Sequence, residues 1–421
     1  MKTVAILTDF VSHDPAYSLC GVVDNQIKML AKNGYHPRLL VRTGFSRNGA
    51  YRDADIREYD PGEIGNNVVN VTAKSEAEIA SLEEQFRARL DGVDVILTHD
   101  LLYQANMWKQ HVAARRFTAS SDVRWLHWIH SSTDLGTTAQ TGRFREELIG
   151  KFPKSNLVAM HPEEMRRKGG QFGYEIDEIV EIPNPIDVTE GFHPVAKRMI
   201  EVGDLWKADV VAIYPARLDR GKQPEVLVEI FRELVGRGWD ARLIIVDFHS
   251  TGGDKADYRK ELVAFADKEP RVPLFFTSIE CSGLDKDYGY HVPHEAVMDL
   301  MEYSDVFIHP SRSESDPLTV PEAAWKRCGL VLNFDLPVFR QWDGRALLYK
   351  FSSNIDTQTG MPGETETKYG DRREYMDGVA GGIAYLMQNN FILANHAKIR
   401  KERSLEAVWA NNLWPAIEGG P

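Results

Sequence analysis

Short, wholly apolar runs recur along this chain, and between them lie stretches whose apolar residues return every three or four positions. Val4 to Leu7 is the first such run, and its length suits a parallel strand buried on both faces. Val23, Ile27, Leu30 and Ala31 then form a helical stripe that stops at Asn33-Gly34, a good C-terminal cap. Arg38 to Val41 predicts the next strand, and Asp94 to Thr98, Val123 to Ile129, Asn156 to Met160 and Ile179 to Ile182 continue the series. A basic amphipathic stretch around Trp108, Lys109, Arg115 and Arg116 separates two of them.

The same alternation then starts again. Val210 to Tyr214 predicts a strand, and Pro224 opens a helix at the position where proline is tolerated. Val226, Leu227, Ile230, Phe231, Leu234 and Val235 give that helix its apolar face. Leu243 to Val246, Pro273 to Phe276, Val306 to His309 and Leu330 to Phe334 are the further strands. Strands alternating with helices twice over imply an α/β chain of two parallel, Rossmann-like domains. Pro183, Pro185 and Pro194 break regular structure at the join, and the polar residues 352–373 suggest a long exposed loop.

Length and composition agree with two domains. At 421 residues the chain exceeds the size at which one core keeps growing. With 43% hydrophobic and 27% charged residues it has material for two cores. No apolar run approaches the about 20 residues that a membrane span needs, and the N-terminal run is too short for a signal peptide, so the cytoplasm is the expected location. The three cysteines lie far apart, which excludes a zinc ribbon and argues against a disulfide framework. A net charge of -12 argues against a protein that binds nucleic acid or anionic membrane over its whole surface, though not against a local basic groove.

In open parallel sheets ligands bind beyond the carboxyl ends of the strands. Two segments of the second half stand there. In Tyr214-Pro215-Ala216-Arg217-Leu218-Asp219-Arg220-Gly221-Lys222, Arg217 and Lys222 bracket a turn, so both cations could converge on one anion, a fork and a point charge for phosphate oxygens. The plain alternative is a solvated loop with two surface cations. The segment from His309 to Ala324 runs from a strand into a helix start near Leu318 and Thr319, whose N–H groups would face a phosphate. Glu314 sits ahead of that start and Glu322 about a turn inside it. A carboxylate can bind two vicinal hydroxyls, but a lone glutamate is more often a helix-start charge. Ile182-Pro183-Asn184-Pro185-Ile186-Asp187 by itself is a proline-stiffened turn. Of the 13 histidines, His127 and His130 lie on opposite faces of a strand, so one of them faces the cleft, and His130 and His99 end strands.

Together these segments resemble the family-four retaining glycosyltransferases of the GT-B fold, over almost the whole chain. The family's arginine and lysine match Arg217 and Lys222, and its two glutamates match Glu314 and Glu322 in a "Pro-Ser … Glu … Glu-Ala" setting. Its "Ile-Pro-Asn-Gly-Ile-Asp" crossover matches Ile182 to Asp187 except at Pro185, and Ser404 to Trp409 looks like its final helices. The family's Gly-Phe-Gly is here Ser315-Asp316-Pro317, the first of its paired N-terminal glycines is Cys20, and a glycine-rich turn is replaced by Asp247-Phe248-His249-Ser250.

The resemblance implies an acceptor domain over 1–190, a nucleotide-sugar domain over 191–398, and a helix over 399–421 returning to the first. Two Rossmann-like domains would face each other across a cleft. Arg217 and Lys222 would neutralise the donor diphosphate, with the N–H groups of Leu318 and Thr319 and the Gly21 loop completing the cradle. Glu322 would hold the ribose, and Glu314 and His130 would contact the transferred sugar. Glu314 could be a covalent nucleophile, or the leaving phosphate could assist attack on the same face. The reaction would move a hexose-type sugar from a nucleoside-diphosphate sugar, such as a UDP- or GDP-sugar, to a hydroxyl of a glycan, a lipid-linked acceptor, a small molecule or, less usually, a hydroxymethylated base. No metal or other cofactor would be required. Lys109, Arg115 and Arg116 could seat the acceptor, an anionic lipid surface or a nucleic-acid strand, against the plain alternative of a solvated helix. Other readings are a sugar-nucleotide epimerase of the same fold and an inactive nucleotide-sugar-binding protein.

Overall fold

The computed structural model describes residues 2–63, 73–131, 148–248, 255–284, 288, 290–355, 362–365 and 370–419. His249 and Ser250 of the substituted turn lie outside the described residues. The chain divides into two compact units, Met1–Asp187 with Glu402–Pro421, and Val188–Lys401. Among the described residues no helix is long and apolar enough to cross a membrane.

The first unit holds a seven-stranded parallel sheet in the order β3-β2-β1-β4-β5-β6-β7. Its strands are β1 (Thr3–Leu7), β2 (His36–Arg42), β3 (Asp55–Tyr59), β4 (Val95–His99), β5 (Arg124–Trp128), β6 (Ser155–Ala159) and β7 (Ile179–Glu181). The run Val4 to Leu7 is apolar throughout because β1 is central, with Ile6 opposite Leu39 on one side and Leu97 on the other. Val4 and Ile6 enter the core on one face of the sheet, Ala5 and Leu7 the core on the other. The edge strand β3, Asp-Ile-Arg-Glu-Tyr, has no apolar run to betray it, since most of it is solvated.

In the second unit the order is β10-β9-β8-β11-β12-β13, again parallel. These strands are β8 (Val210–Arg217), β9 (Ala241–Phe248), β10 (Leu274–Phe276), β11 (Val306–His309), β12 (Gly329–Asn333) and β13 (Leu347–Tyr349). Strand β8 runs three residues past the expected Tyr214, because Pro215, Ala216 and Arg217 still pair with Val246, Asp247 and Phe248. The segment 352–373 is not simply an exposed loop. Ser352 and Ser353 are buried, and β14 (Ser353–Ile355) pairs antiparallel with β15 (Pro362–Thr365). The order reverses between β8 and β11, so the carboxyl ends of these two strands open the crevice where a ligand has room to enter.

A buried ion pair fixes the helix Phe391–Arg403 to the opposite, amino-terminal edge of this sheet. Arg400 reaches both oxygens of Asp305, at 3.0 and 2.8 Å, and Asp305 also accepts from the Val211 N–H at 2.8 Å. Burial would raise the Asp305 pKa, but Arg400 and His396 together overcome it and hold this carboxyl below its ordinary value.

The chain then returns to the first unit. The Ile186 N–H donates to Arg403 C=O at 2.8 Å, and Ser404 caps the next helix by accepting from the Ala407 N–H at 3.2 Å. Val408, Leu413, Ala416 and Ile417 join the core of Val4 and Ile6. Trp414, next to Leu413 in the chain, is half exposed. Arg124 donates to the carbonyls of Ala416 and Ile417, at 3.0 Å for the latter, which satisfies the last turn. Leu413→Ala should therefore cost about 2–5 kcal/mol in urea unfolding of the full chain, whereas Trp414→Ala should cost clearly less.

Candidate functional site

Arg217 ends β8, and the chain must turn at once to begin the helix Pro224–Gly236. A single tight turn over Arg220–Lys222 does this, closed by the Lys222 N–H on Asp219 C=O at 2.8 Å. Gln223 takes a left-handed conformation, φ 51°, directly before Pro224. This backbone is held because the Gln223 side chain has fixed partners. Its amide donates to Pro310 C=O at 2.5 Å and Phe351 C=O at 2.7 Å, and its oxygen accepts from Arg312 Nε at 3.2 Å. The Arg312 N–H donates to Gly221 C=O at 2.8 Å, so the loops after β8 and β11 are stitched together.

That stitching brings Lys222 to Glu314. Glu314 Oε1 accepts from Lys222 Nζ at 2.5 Å and lies 2.9 Å from His309 Nε2. Burial alone would raise the Glu314 pKa, but the hydrogen bonds from His309 and Lys222 overcome it and lower the value to about 2. Arg217 does not share this contact. Its side chain is more than half exposed, and its Nε lies 3.6 Å from Asp219 Oδ2. Lys255 also reaches Asp219, together with Leu218 C=O at 3.1 Å.

Leu318 is exposed and caps the short helix Thr319–Trp325, which Thr319 opens. Val320 N–H donates to Pro317 C=O at 3.2 Å, and Pro317 and Pro321 bring no N–H of their own. Glu322 lies on this helix, 2.9 Å from His294 Nε2.

Three residues to which the sequence reading assigned no role support this site. Asn333, at the end of β12, donates to Ser311 C=O at 2.9 Å and Ser352 C=O at 2.7 Å, and accepts from the Phe351 and Asp335 N–H groups at 2.9 and 3.1 Å. Asp247, at the end of β9, accepts from the Ser278 N–H at 2.9 Å and the Thr277 hydroxyl at 3.1 Å. Its carboxylate thus ties the end of β9 to the start of the helix Thr277–Glu280. His309 is the third. A polar side chain closing an apolar strand was the signal available for all three.

The first unit has its own cluster at its strand ends, where β1 and β4 mark the reversal of strand order. His99 Nδ1 lies 2.8 Å from His130 Nε2, and His99 Nε2 lies 2.9 Å from Gln26 Oε1. Burial, with His130 beside it, pulls the His99 pKa well below its ordinary value, so this ring is neutral. With Gln26 Oε1 accepting from Nε2–H, His99 Nδ1 must accept the His130 proton. Burial lowers the His130 pKa too, Asp100 opposing this and Lys168 adding to it. The His130 N–H donates to Asp100 Oδ1 at 2.8 Å, and Asp100 itself is left-handed at φ 62°.

Beside this cluster lies a cavity of about 250 Å³, lined among others by Thr8, Asp9, Tyr17, His99, Asp100 and Asn106. Burial raises the Asp9 pKa against the pull of Arg42, Asn106 and Gln110. Gly21 lies in the first turn of the helix Ser18–Lys32, exposed, with open space where a Cβ would stand. His127, on the other face, is fully buried with its Nδ1 2.7 Å from Thr98 Oγ1.

The cations of the basic stretch all have partners within the first unit. Lys109 is buried against Glu78 and Glu63 C=O, Arg115 donates to Gly150 C=O at 2.7 Å, and Arg116 pairs with Glu76 at 3.2 Å. Trp108 and Phe117 are core residues. All three cations thus serve to anchor the helix Trp108–Ala119 within its own unit. Among the described residues no group of three or more His, Cys, Asp and Glu side chains is placed to hold a metal ion.

Two parallel Rossmann-like units, with the chain returning to the first, define the GT-B class of fold. No protein-family model and no curated protein matches the chain. Among solved structures it is similar to a glycosyltransferase from Rickettsia africae ESF-5, at 16% identity over 100% of this chain and 99% of that one, TM-score 0.35. It is also similar to sucrose-phosphate synthase from Thermosynechococcus elongatus, at 16% identity over 99% and 96%, TM-score 0.31. HepE of Anabaena, in complex with UDP-glucose, gives 13% identity over 100% and 99%, TM-score 0.34. Such distant superpositions say nothing about ligand or reaction, and the fold class rests on the sheet orders.

The lowered Glu314 pKa has a thermodynamic consequence. A carboxyl with a folded pKa of about 2 against an ordinary 4.5 stabilises the fold fully above about pH 4.5, and that contribution disappears as the pH falls toward 2. The stability difference between the wild type and Glu314→Gln should change over this window and be flat above it, as urea titrations from pH 7 to 2 would measure.

Proposed function

We propose that the chain is a glycosyltransferase that moves a hexose-type sugar from a nucleoside-diphosphate sugar to a hydroxyl acceptor with retention of configuration. The observation that carries this reading is the meeting of Lys222 and Glu314 at the carboxyl ends of β8 and β11, where strand order reverses. A cation and a carboxylate in one crevice suit a ligand with a diphosphate at one end and hydroxyls at the other.

In this reading the leaving nucleoside diphosphate develops negative charge as the glycosidic bond breaks, and Lys222 and Arg217 stabilise it. Arg217 can swing to an incoming phosphate, since its side chain is more than half exposed. These two cations supply what a divalent metal would otherwise supply. The N–H groups of Leu318 and Thr319 add to the cradle, and Glu322 accepts from the ribose hydroxyls while His294 meets its Oε1.

Glu314 faces the sugar, whose anomeric carbon passes through an oxocarbenium-like state. Among the described residues both protein hydrogen bonds to Glu314 fall on Oε1, which leaves Oε2 to accept from a sugar hydroxyl. A carboxylate so strongly stabilised is a poor nucleophile. This favours attack by the acceptor on the same face, with the departing phosphate taking the proton. The polar cavity beside Asp9 and Asp100 in the first unit offers hydroxyl-binding groups of the kind an acceptor needs.

Hydrolysis of UDP-, GDP- and ADP-sugars in the absence of acceptor is the direct test. One of them should be turned over, and Arg217→Ala and Lys222→Ala should each slow that turnover about 100-fold. Unchanged rates in both variants would remove the diphosphate clamp, and no turnover of any donor would favour an inactive binding protein. Glu322→Gln should also narrow the preference for a ribose over a 2′-deoxyribose donor, measured as the ratio of kcat/KM values.

A further inference from the structure

The Lys222–Glu314 contact poses a problem for donor binding. If Lys222 is to neutralise the diphosphate it must leave Glu314, and a largely buried carboxylate would then lose its cation. His309 is placed to answer this. It is the last residue of β11, and its side chain is 4% exposed. Three aromatic rings hold it: Phe307 stacks nearly parallel at 5.7 Å, and Tyr214 and Phe339 meet it edge-on at 5.8 and 5.3 Å.

The position of its proton follows from its surroundings. Nδ1 is buried and has no hydrogen-bond partner among the described residues, whereas Nε2 lies 2.9 Å from Glu314 Oε1. A proton on Nδ1 would have no acceptor, and the bare Nε2 would then face the carboxylate lone pair for lone pair. The proton therefore sits on Nε2 and is donated to Glu314. Oε1 thus receives two donors, one mobile on a lysine stem and one fixed in an aromatic cage.

We infer that His309 is a positioning residue which holds Glu314 in place and hydrogen-bonded while Lys222 exchanges the carboxylate for the donor diphosphate. The inference rests on the donor-site reading given above. Without His309, Lys222 would be the only hydrogen-bond donor to this carboxylate among the described residues and would resist leaving it, so that diphosphate binding would weaken. Phenylalanine at 309 would keep the ring packing and remove only the donor, and glutamine would keep an N–H.

Calorimetric titration of the full chain with UDP, GDP and ADP tests this. His309→Phe should bind the preferred nucleoside diphosphate about 10-fold more weakly, the effect of one hydrogen bond to a charged group, while His309→Gln should stay within about threefold of the wild type. Adding Glu314→Gln to His309→Phe should restore the affinity, because Lys222 then has no charged partner to abandon. A local packing defect would not be repaired in this way. Wild-type affinity in His309→Phe, or a loss that the double variant does not recover, overturns the role of His309 alone. A wild-type chain that binds none of the three diphosphates overturns the donor-site reading and this inference with it.

Discussion

The geometry of the second unit depends on how buried backbone groups beyond its strand ends find partners. Inside the sheet the ladder pairs them, but the loops after β8, β11 and β13 leave carbonyls that no strand reaches. A buried polar group without a partner costs about 1–3 kcal/mol. Two side-chain amides remove that cost here. Gln223 bonds carbonyls after β11 and β13, and Asn333 bonds carbonyls after the same two strands while accepting two N–H groups. A side-chain amide offers two N–H donors and an accepting oxygen in one plane, which neither a carboxylate nor a lysine can supply.

The charges depend on this framework in turn. Lys222 and Glu314 meet because Gly221 and Arg312 are joined through their backbones one residue and two residues away. The site is therefore rigid in its backbone and adjustable in its cations, which sit on long stems. The second buried ion pair, Arg400 with Asp305, works the other way. It lies at the opposite end of β11, with both oxygens of Asp305 engaged and the guanidinium 2% exposed. It fastens a helix and leaves both oxygens of Asp305 occupied, with side chains 2% and 0% exposed, whereas those of Lys222 and Glu314 remain 19% and 13% exposed.

Much of the fold was legible. The central strands β1, β4, β8 and β11 read as apolar runs because both their faces are covered, and β11 agrees with its expected bounds residue for residue. Of the four edge strands, β7 and β10 were read and β3 and β13 were not. Strand β3 is mostly solvated and β13 is only three residues long, so neither carries a periodic signal. Of the site, the sequence placed Arg217, Lys222, Glu314 and Glu322 near strand ends. It could not show that Arg217 lies beside Asp219, or that Lys109, Arg115 and Arg116 would be spent within their own unit.

By itself, then, the sequence determined what is local: the alternation of strand and helix, its repetition, the turn at Gly34 and the polar residues that close apolar runs. These follow from periods of two and 3.6 residues, which a short window contains. The tertiary structure alone decided which partner each charged group takes. Lys222 and Glu314 are separated by 92 positions, Lys109 and Glu78 by 31, and His294 and Glu322 by 28. No local period links such pairs. They are neighbours because β8 lies beside β11 in the sheet, or because two helices cross, and that order is set by the burial of whole elements against one another.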